Sequence, residues 1–129
     1  MDPALTIGCQ ATHQTLVTEA MRPVFDGKVI HDVCSTWSIG ECMENAARRV
    51  LVPYLEPHEE GVGTHLSIDH KGPARLGETM TATATATDVD ARQLVCEIIV
   101  TAADRVVATG RQVQRVLPRD MLQARLSGT

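Results

Sequence analysis

The sequence predicts an α+β fold, a curled antiparallel sheet wrapped around one long central helix. Three observations carry that prediction. Apolar residues recur at helical spacing over residues 36–54 or so, the period changes to two from Thr64 onward, and the later strand-like stretches are separated by hairpin-sized connections. One helix covers a broad sheet only by lying in its concavity, so the sheet must curl around it.

Taken in order, a polar lead is followed by a strand-like stretch at residues 15–18 (Thr-Leu-Val-Thr). Residues 21–32 contain Pro23 and Gly27 and show no clean period, which reads as an irregular segment long enough to be functional. The helix comes next. Ser35, Thr36 or Ser38 can cap it, with Ser38 and Glu41 spaced as a capping box. Its apolar stripe is Ile39, Met43, Ala46, Ala47, Val50, Leu51 and Tyr54, and Pro53 and Pro57 close it. Residues 59–63 (Glu-Glu-Gly-Val-Gly) read as a turn, and Thr64 to His70 as a strand broken by Gly72-Pro73. The run from Thr79 to Thr87 puts five threonines on one face and Met80 with three alanines on the other. β-branched threonine suits a half-solvated surface, and alanine leaves room for a helix pressed close. Residues 94–102 and 106–117 read as further strands, and residues 119–126 as a short helix. Uncovered sheet edges then predict a homodimer.

The chain has 129 residues, which reads as a single domain over 1–129 whose core needs no disulfide or metal staple. Trp37, Tyr54 and Phe25 are its only aromatic residues and its net charge is −4, so neither base stacking nor a basic phosphate footprint favours nucleic acid. No apolar run approaches the roughly 20 residues needed to span a bilayer, and the start lacks signal-peptide features, so membrane partners are not expected and a cytoplasmic location is. The cysteines at 9, 34, 42 and 96 form no CxxC pair and read as small buried hydrophobes.

Chemistry can be sought among few residues. Thr36 stands at the helix start and Glu44 eight residues on, about 80° apart in projection, so both can border one pocket. Glu44 lies beside Met43 and Ala47; it is either functional or a carboxylate at the stripe margin reaching solvent. His70 ends a strand, where histidines are usually structural, but imidazole titrates near neutrality. Gly63 could bring backbone close to a ligand. The histidines show no metal-ligand spacing, so no metal is expected, and no GxSxG, GxGxxG or P-loop is present. Cys34 near the helix start is a weak alternative nucleophile.

These residues together resemble the fluoroacetyl-CoA thioesterase family of hotdog proteins. The likeness is concentrated in Thr36 to Leu55, with Met43-Glu44 and Val52-Pro53-Tyr54-Leu55-Glu56-Pro57, and in Val62-Gly63-Thr64 through His70. The family's threonine, the glutamate eight residues later and the histidine 26 beyond that fall on Thr36, Glu44 and His70, and its carbonyl-holding glycine on Gly63. The resemblance implies hydrolysis of an acyl-CoA or related acyl thioester, with coenzyme A entering only as part of the substrate and no other cofactor. It implies Glu44 as nucleophile or as base for water, His70 as general acid/base, and Thr36 orienting the carboxylate or the carbonyl. Arg48, Arg75 and Arg111 are candidates to meet the carrier. The departure is in the segment before the helix. Where the founding member shapes a fluorine-selective pocket with phenylalanines, an ungapped alignment places Gly27 and Ile30, and Phe25 does not coincide. A short or medium acyl group bordered by Phe25 and Ile30 is therefore the expected substrate. A non-catalytic hotdog module binding an acyl thioester or small hydrophobic metabolite is the alternative.

Overall fold

A computed structural model describes residues 1–128. Its strands are β1 (Gln10–Leu16), β2 (Val24–Phe25), β3 (Lys28–Val29), β4 (Glu59–His70), β5 (Thr79–Asp90), β6 (Gln93–Ala102) and β7 (Arg105–Pro118), and its helices α1 (Thr36–Leu51) and α2 (Arg119–Leu126). Five strands form one antiparallel sheet in the order β1-β5-β6-β7-β4, and β2 and β3 form a separate hairpin. The sheet and its single long core helix are the predicted architecture.

Helix α1 starts three residues earlier than a Ser38–Glu41 capping box requires. Ser35 is held in extended backbone by its N–H on the Met21 carbonyl, and its hydroxyl accepts the Ser38 N–H at 3.2 Å. Ser38 is thereby the third helical residue, and the box is not formed. The stripe holds from Ile39 to Leu51 with Gly40 and Cys42 added to the buried set, but α1 ends at Leu51 rather than near residue 54, and Tyr54 is half-buried beyond it. After Leu51 the chain tightens into a 3₁₀ turn over Val52–Tyr54, because Pro53 supplies no N–H to continue the helix.

The sheet face against α1 is built from small residues. Met80, Ala82, Ala84 and Ala86 of β5 and Ala108 of β7 are all fully buried. A Cβ added at Gly110 would stand 2.0 Å from the Ser67 carbonyl oxygen and 2.4 Å from Met43 Cε; one added at Gly61 would stand 2.5 Å from Leu51 Cδ2. Helix and sheet thus meet where only hydrogen fits. This accounts for the main departure from the sequence reading: residues 59–63 are the first part of β4 rather than a turn, their glycines marking close approach inside a strand. Strand β1 also begins earlier than residues 15–18, because Gln10 to Leu16 find a partner along β5 from Thr85 to Thr79. Strand β5 runs on to Asp90 past a bulge at residues 86–88.

Consecutive arginines in the last turn of α1 reach opposite edges of the sheet. Arg49 donates to the Thr12 carbonyl of β1 at 3.2 Å. Arg48 donates to the Gly61 carbonyl of β4 at 3.1 Å and pairs with Glu60 at 2.9 Å. Cys34, Cys42 and Cys96 lie in the core, where burial pushes their thiols up to about 11, 11 and 12. Cys34 is therefore packing rather than a thiolate nucleophile. Among the described residues no helix is long and apolar enough to cross a membrane.

Gly110→Ala should cost about 3 kcal/mol, since the clash is with backbone on one side and the helix on the other; urea unfolding measures it, and a loss below about 1 kcal/mol is inconsistent with the close approach. A second expectation concerns acid. The Arg75 backbone N–H and the Arg105 guanidinium hold the Glu78 carboxyl below the ordinary carboxylate range. Its contribution is therefore fully present above that range and is lost as pH falls through and below it. Glu78→Gln should flatten the stability–pH curve below about pH 4.5 and leave its slope near neutrality unchanged.

Candidate active site

The start of α1 is fixed from two sides: Ser35 N–H bonds the Met21 carbonyl at 2.7 Å, and Cys34 N–H bonds the Ala74 carbonyl at 2.8 Å. Thr36, the first helical residue, is held there with its side chain outside the core. His70 ends β4, where the next two N–H groups both turn onto the Val107 carbonyl. The two side chains meet, with Thr36 Oγ1 2.9 Å from His70 Nδ1. With the ring protonated at Nε2, the hydroxyl donates to Nδ1, fixes the imidazole and leaves Nε2–H facing outward. That is a group ready to give or take a proton.

Glu44 lies eight residues further along α1, roughly 12 Å along the axis. It is exposed, and among the described residues no cation lies within 4 Å of its carboxylate. Its neighbour on the sheet is Gly63: both carboxylate oxygens are 4.0 Å from where a Cβ of Gly63 would stand. Gly63 sits at a bulge of β4, which breaks the register with β7 between residues 63 and 65. Bulges re-aim strands beside functional sites. The expected residues thus come together in two pairs. Thr36 and His70 touch; Glu44 and Gly63 face each other; and seven residues of β4, about 20 Å, separate Gly63 from His70. The Thr36 hydroxyl goes to His70 rather than to Glu44.

Phe25 and Ile30 belong to a small lid. Strands β2 and β3 form a hairpin whose turn residues, Asp26 and Gly27, have φ of 50° and 76°. Phe25 meets Trp37 edge to face, ring centroids 5.7 Å apart, and Val24, Phe25, Val29, Ile30 and Trp37 are all substantially exposed. The lid therefore presents an apolar face beside Thr36. Reading residues 21–32 as irregular missed it, along with Trp37. The available signal was Asp26-Gly27 between Val24-Phe25 and Lys28-Val29, a two-residue hairpin pattern.

Of the basic candidates, Arg48 is committed to Glu60 and the Gly61 carbonyl, and Arg111 lies 3.8 Å from Glu97. A cleft of about 610 Å³ between α2 and the adjoining ends of β4 and β7 contains none of Thr36, Glu44, His70, Phe25 or Ile30. Among the described residues no three His, Cys, Asp or Glu side chains are gathered as for a metal ion.

Comparison with known proteins bears on this geometry. Residues 17–120 match the model of the family described as fluoroacetyl-CoA-specific thioesterase. The fluoroacetyl-CoA thioesterase of Streptantibioticus cattleyicolor is 36% identical over 63 residues, 49% of this chain and 45% of that protein, so the match spans less than half of that relative's length. A Thermus thermophilus protein described as a thioesterase superfamily member superposes with a TM-score of 0.94 at 26% identity, covering 98% of this chain and 93% of that one. A hot-dog-like protein from Thermanaerovibrio acidaminovorans (TM-score 0.88, 24% identity, 98% and 92% covered) and a solved fluoroacetyl-CoA thioesterase (0.88, 23%, 96% and 96%) share the fold. With the family match running from just after β1 into the start of α2, across every residue of both pairs, the chain belongs to the fluoroacetyl-CoA-specific thioesterase family, a family of thioester hydrolases.

Proposed function

We propose that the protein hydrolyses a short or medium acyl-CoA thioester, with Glu44 as the base for water, His70 as the general acid, and Thr36 setting the imidazole. The observation that carries this is the 2.9 Å contact of Thr36 Oγ1 with His70 Nδ1, which leaves Nε2 as the free proton-transferring atom beside an apolar lid. Water adds to the thioester carbonyl carbon while Glu44 takes its proton. Gly63 lets the carbonyl approach the backbone as its oxygen becomes an oxyanion. Collapse breaks the carbon–sulfur bond as the thiolate takes the Nε2 proton of His70 in its imidazolium form, and the proton held by Glu44 returns to His70 through water, giving carboxylic acid and thiol with both side chains reset. Coenzyme A enters with the substrate, and no other cofactor is needed. Phe25, Ile30 and Trp37 wall the acyl group, an apolar surface suited to a short or medium chain and not restricted to fluoroacetyl.

The working form in this reading is a homodimer. Strand β4 is a sheet edge of 12 residues, paired on one side only, by β7. Such an edge is a ready template for a second copy. Antiparallel pairing of β4 with itself about a two-fold axis between Leu66 and Ser67 sets Gly63 opposite the partner's His70, at the ~5 Å spacing of facing strand residues. The separated pairs are then joined: Glu44 and Gly63 of one protomer face the Thr36–His70 pair of the other, and two sites form per dimer.

Glu44→Gln and His70→Ala should each lower kcat/KM by a factor of about 100 or more across a panel of acyl-CoAs followed by thiol release. Wild-type levels in both, or no turnover by folded wild-type protein, would remove the hydrolytic reading in favour of a binding module. Unfolding the two inactive variants together and refolding them should restore roughly a quarter of wild-type activity, because half the dimers are mixed and each mixed dimer has one intact site. A site contained within one protomer gives no restoration. Phe25→Ala should raise KM several-fold while changing kcat little, since it removes binding surface away from the reacting atoms.

A further inference from the structure

We propose that Gln112 is a positioning residue of this site, the group that holds the Glu44 carboxylate, with its water, against Gly63. The inference rests on the reading of Glu44 as the base. Gln112 is on β7 with its side chain toward α1 and is 2% exposed. Its Nε2 lies 3.0 Å from the point where a Cβ of Gly63 would stand, and both Glu44 oxygens lie 4.0 Å from that same point. Amide and carboxylate therefore converge on the one spot that the missing side chain leaves open. Facing a carboxylate, the carboxamide presents its N–H side. A water between them can accept from Nε2–H and donate to Glu44, which leaves its second lone pair free to attack a carbonyl.

Two contrasts support a working role over a packing one. Gln114, two residues along on the same strand face and equally buried, donates its Nε2–H to the Ala47 carbonyl at 3.0 Å and so fastens the helix. Among the described residues no such bond engages Gln112, whose Oε1 is buried without a partner there. A buried amide left that way costs stability and persists where it serves something else. The second contrast is Gly63. Its glycine is explained by space, since any side chain would occupy the gap that Gln112 and Glu44 share.

The proposal is tested on Gln112→Leu, with Gln114→Leu as the comparator, in acyl-CoA turnover, thermal melting and side-chain amide NMR. Gln112→Leu should lower kcat about tenfold with KM within about twofold of wild type, and should melt at or above the wild-type temperature because an unpaired buried amide is gone. Gln114→Leu should melt lower and keep its kcat. In ¹H–¹⁵N spectra the Gln112 amide pair, assigned by its loss in Gln112→Leu, should move in Glu44→Gln, while the Gln114 pair stays in place. A Gln112 signal that ignores Glu44→Gln overturns the proposal even if the protein hydrolyses no thioester tested. Wild-type kcat in Gln112→Leu overturns it while Glu44→Gln, if inactive, leaves the hydrolytic reading standing.

Discussion

The closeness of α1 to the concave face of the sheet is the constraint on which the rest of the molecule depends. At Gly110 the space between the Ser67 carbonyl and Met43 holds a hydrogen and nothing more, and at Gly61 the same is true against Leu51. A helix can approach that closely only over a surface of glycine and alanine. That explains why the buried face of β5 is Ala82, Ala84 and Ala86 behind Met80. It also fixes the helix against sliding and rotation, with Gln114 on the Ala47 carbonyl and the two arginines of the last turn tying it to both sheet edges. An element held that firmly can carry chemistry on the flank it does not bury.

That flank carries Thr36 and Glu44, and the spacing between them gives the site its character. Eight residues of helix place the two far enough apart that His70 reaches only the first and Gly63 only the second. The edge strand that carries both His70 and Gly63 has its outer side unpaired among the described residues. In the proposed homodimer an uncovered edge and a divided set of polar groups would be resolved together, because a two-fold axis through an antiparallel strand pair exchanges its two ends. Catalysis and assembly would then depend on the same strand.

The sequence showed some of this and hid the rest for identifiable reasons. The α1 stripe was legible because eight buried positions repeat at 3.6 residues. The β5 alternation was legible because five threonines and three alanines take strict turns. The first half of β4 was hidden because Gly61 and Gly63 look like turn residues until the helix that demands them is in place. The lid was hidden because strands of two residues have no period to detect. Gln112 was hidden because a glutamine in an alternating strand reads as a solvent-facing residue, and only the curl of the sheet turns it inward.

The helix-and-sheet architecture was legible in the sequence alone, since the period of apolar residues is a local property, whereas Thr36, Glu44, Gly63 and His70 stood out there through a family resemblance in residue type and spacing. Which of those residues touch was decided by the tertiary structure. Thr36 pairs with His70 across 34 positions of chain, and Glu44 from the helix and Gln112 from β7 converge beside Gly63 of β4. Such contacts follow from strand register and from how deeply a helix seats in a curved sheet, and neither is encoded in any one segment.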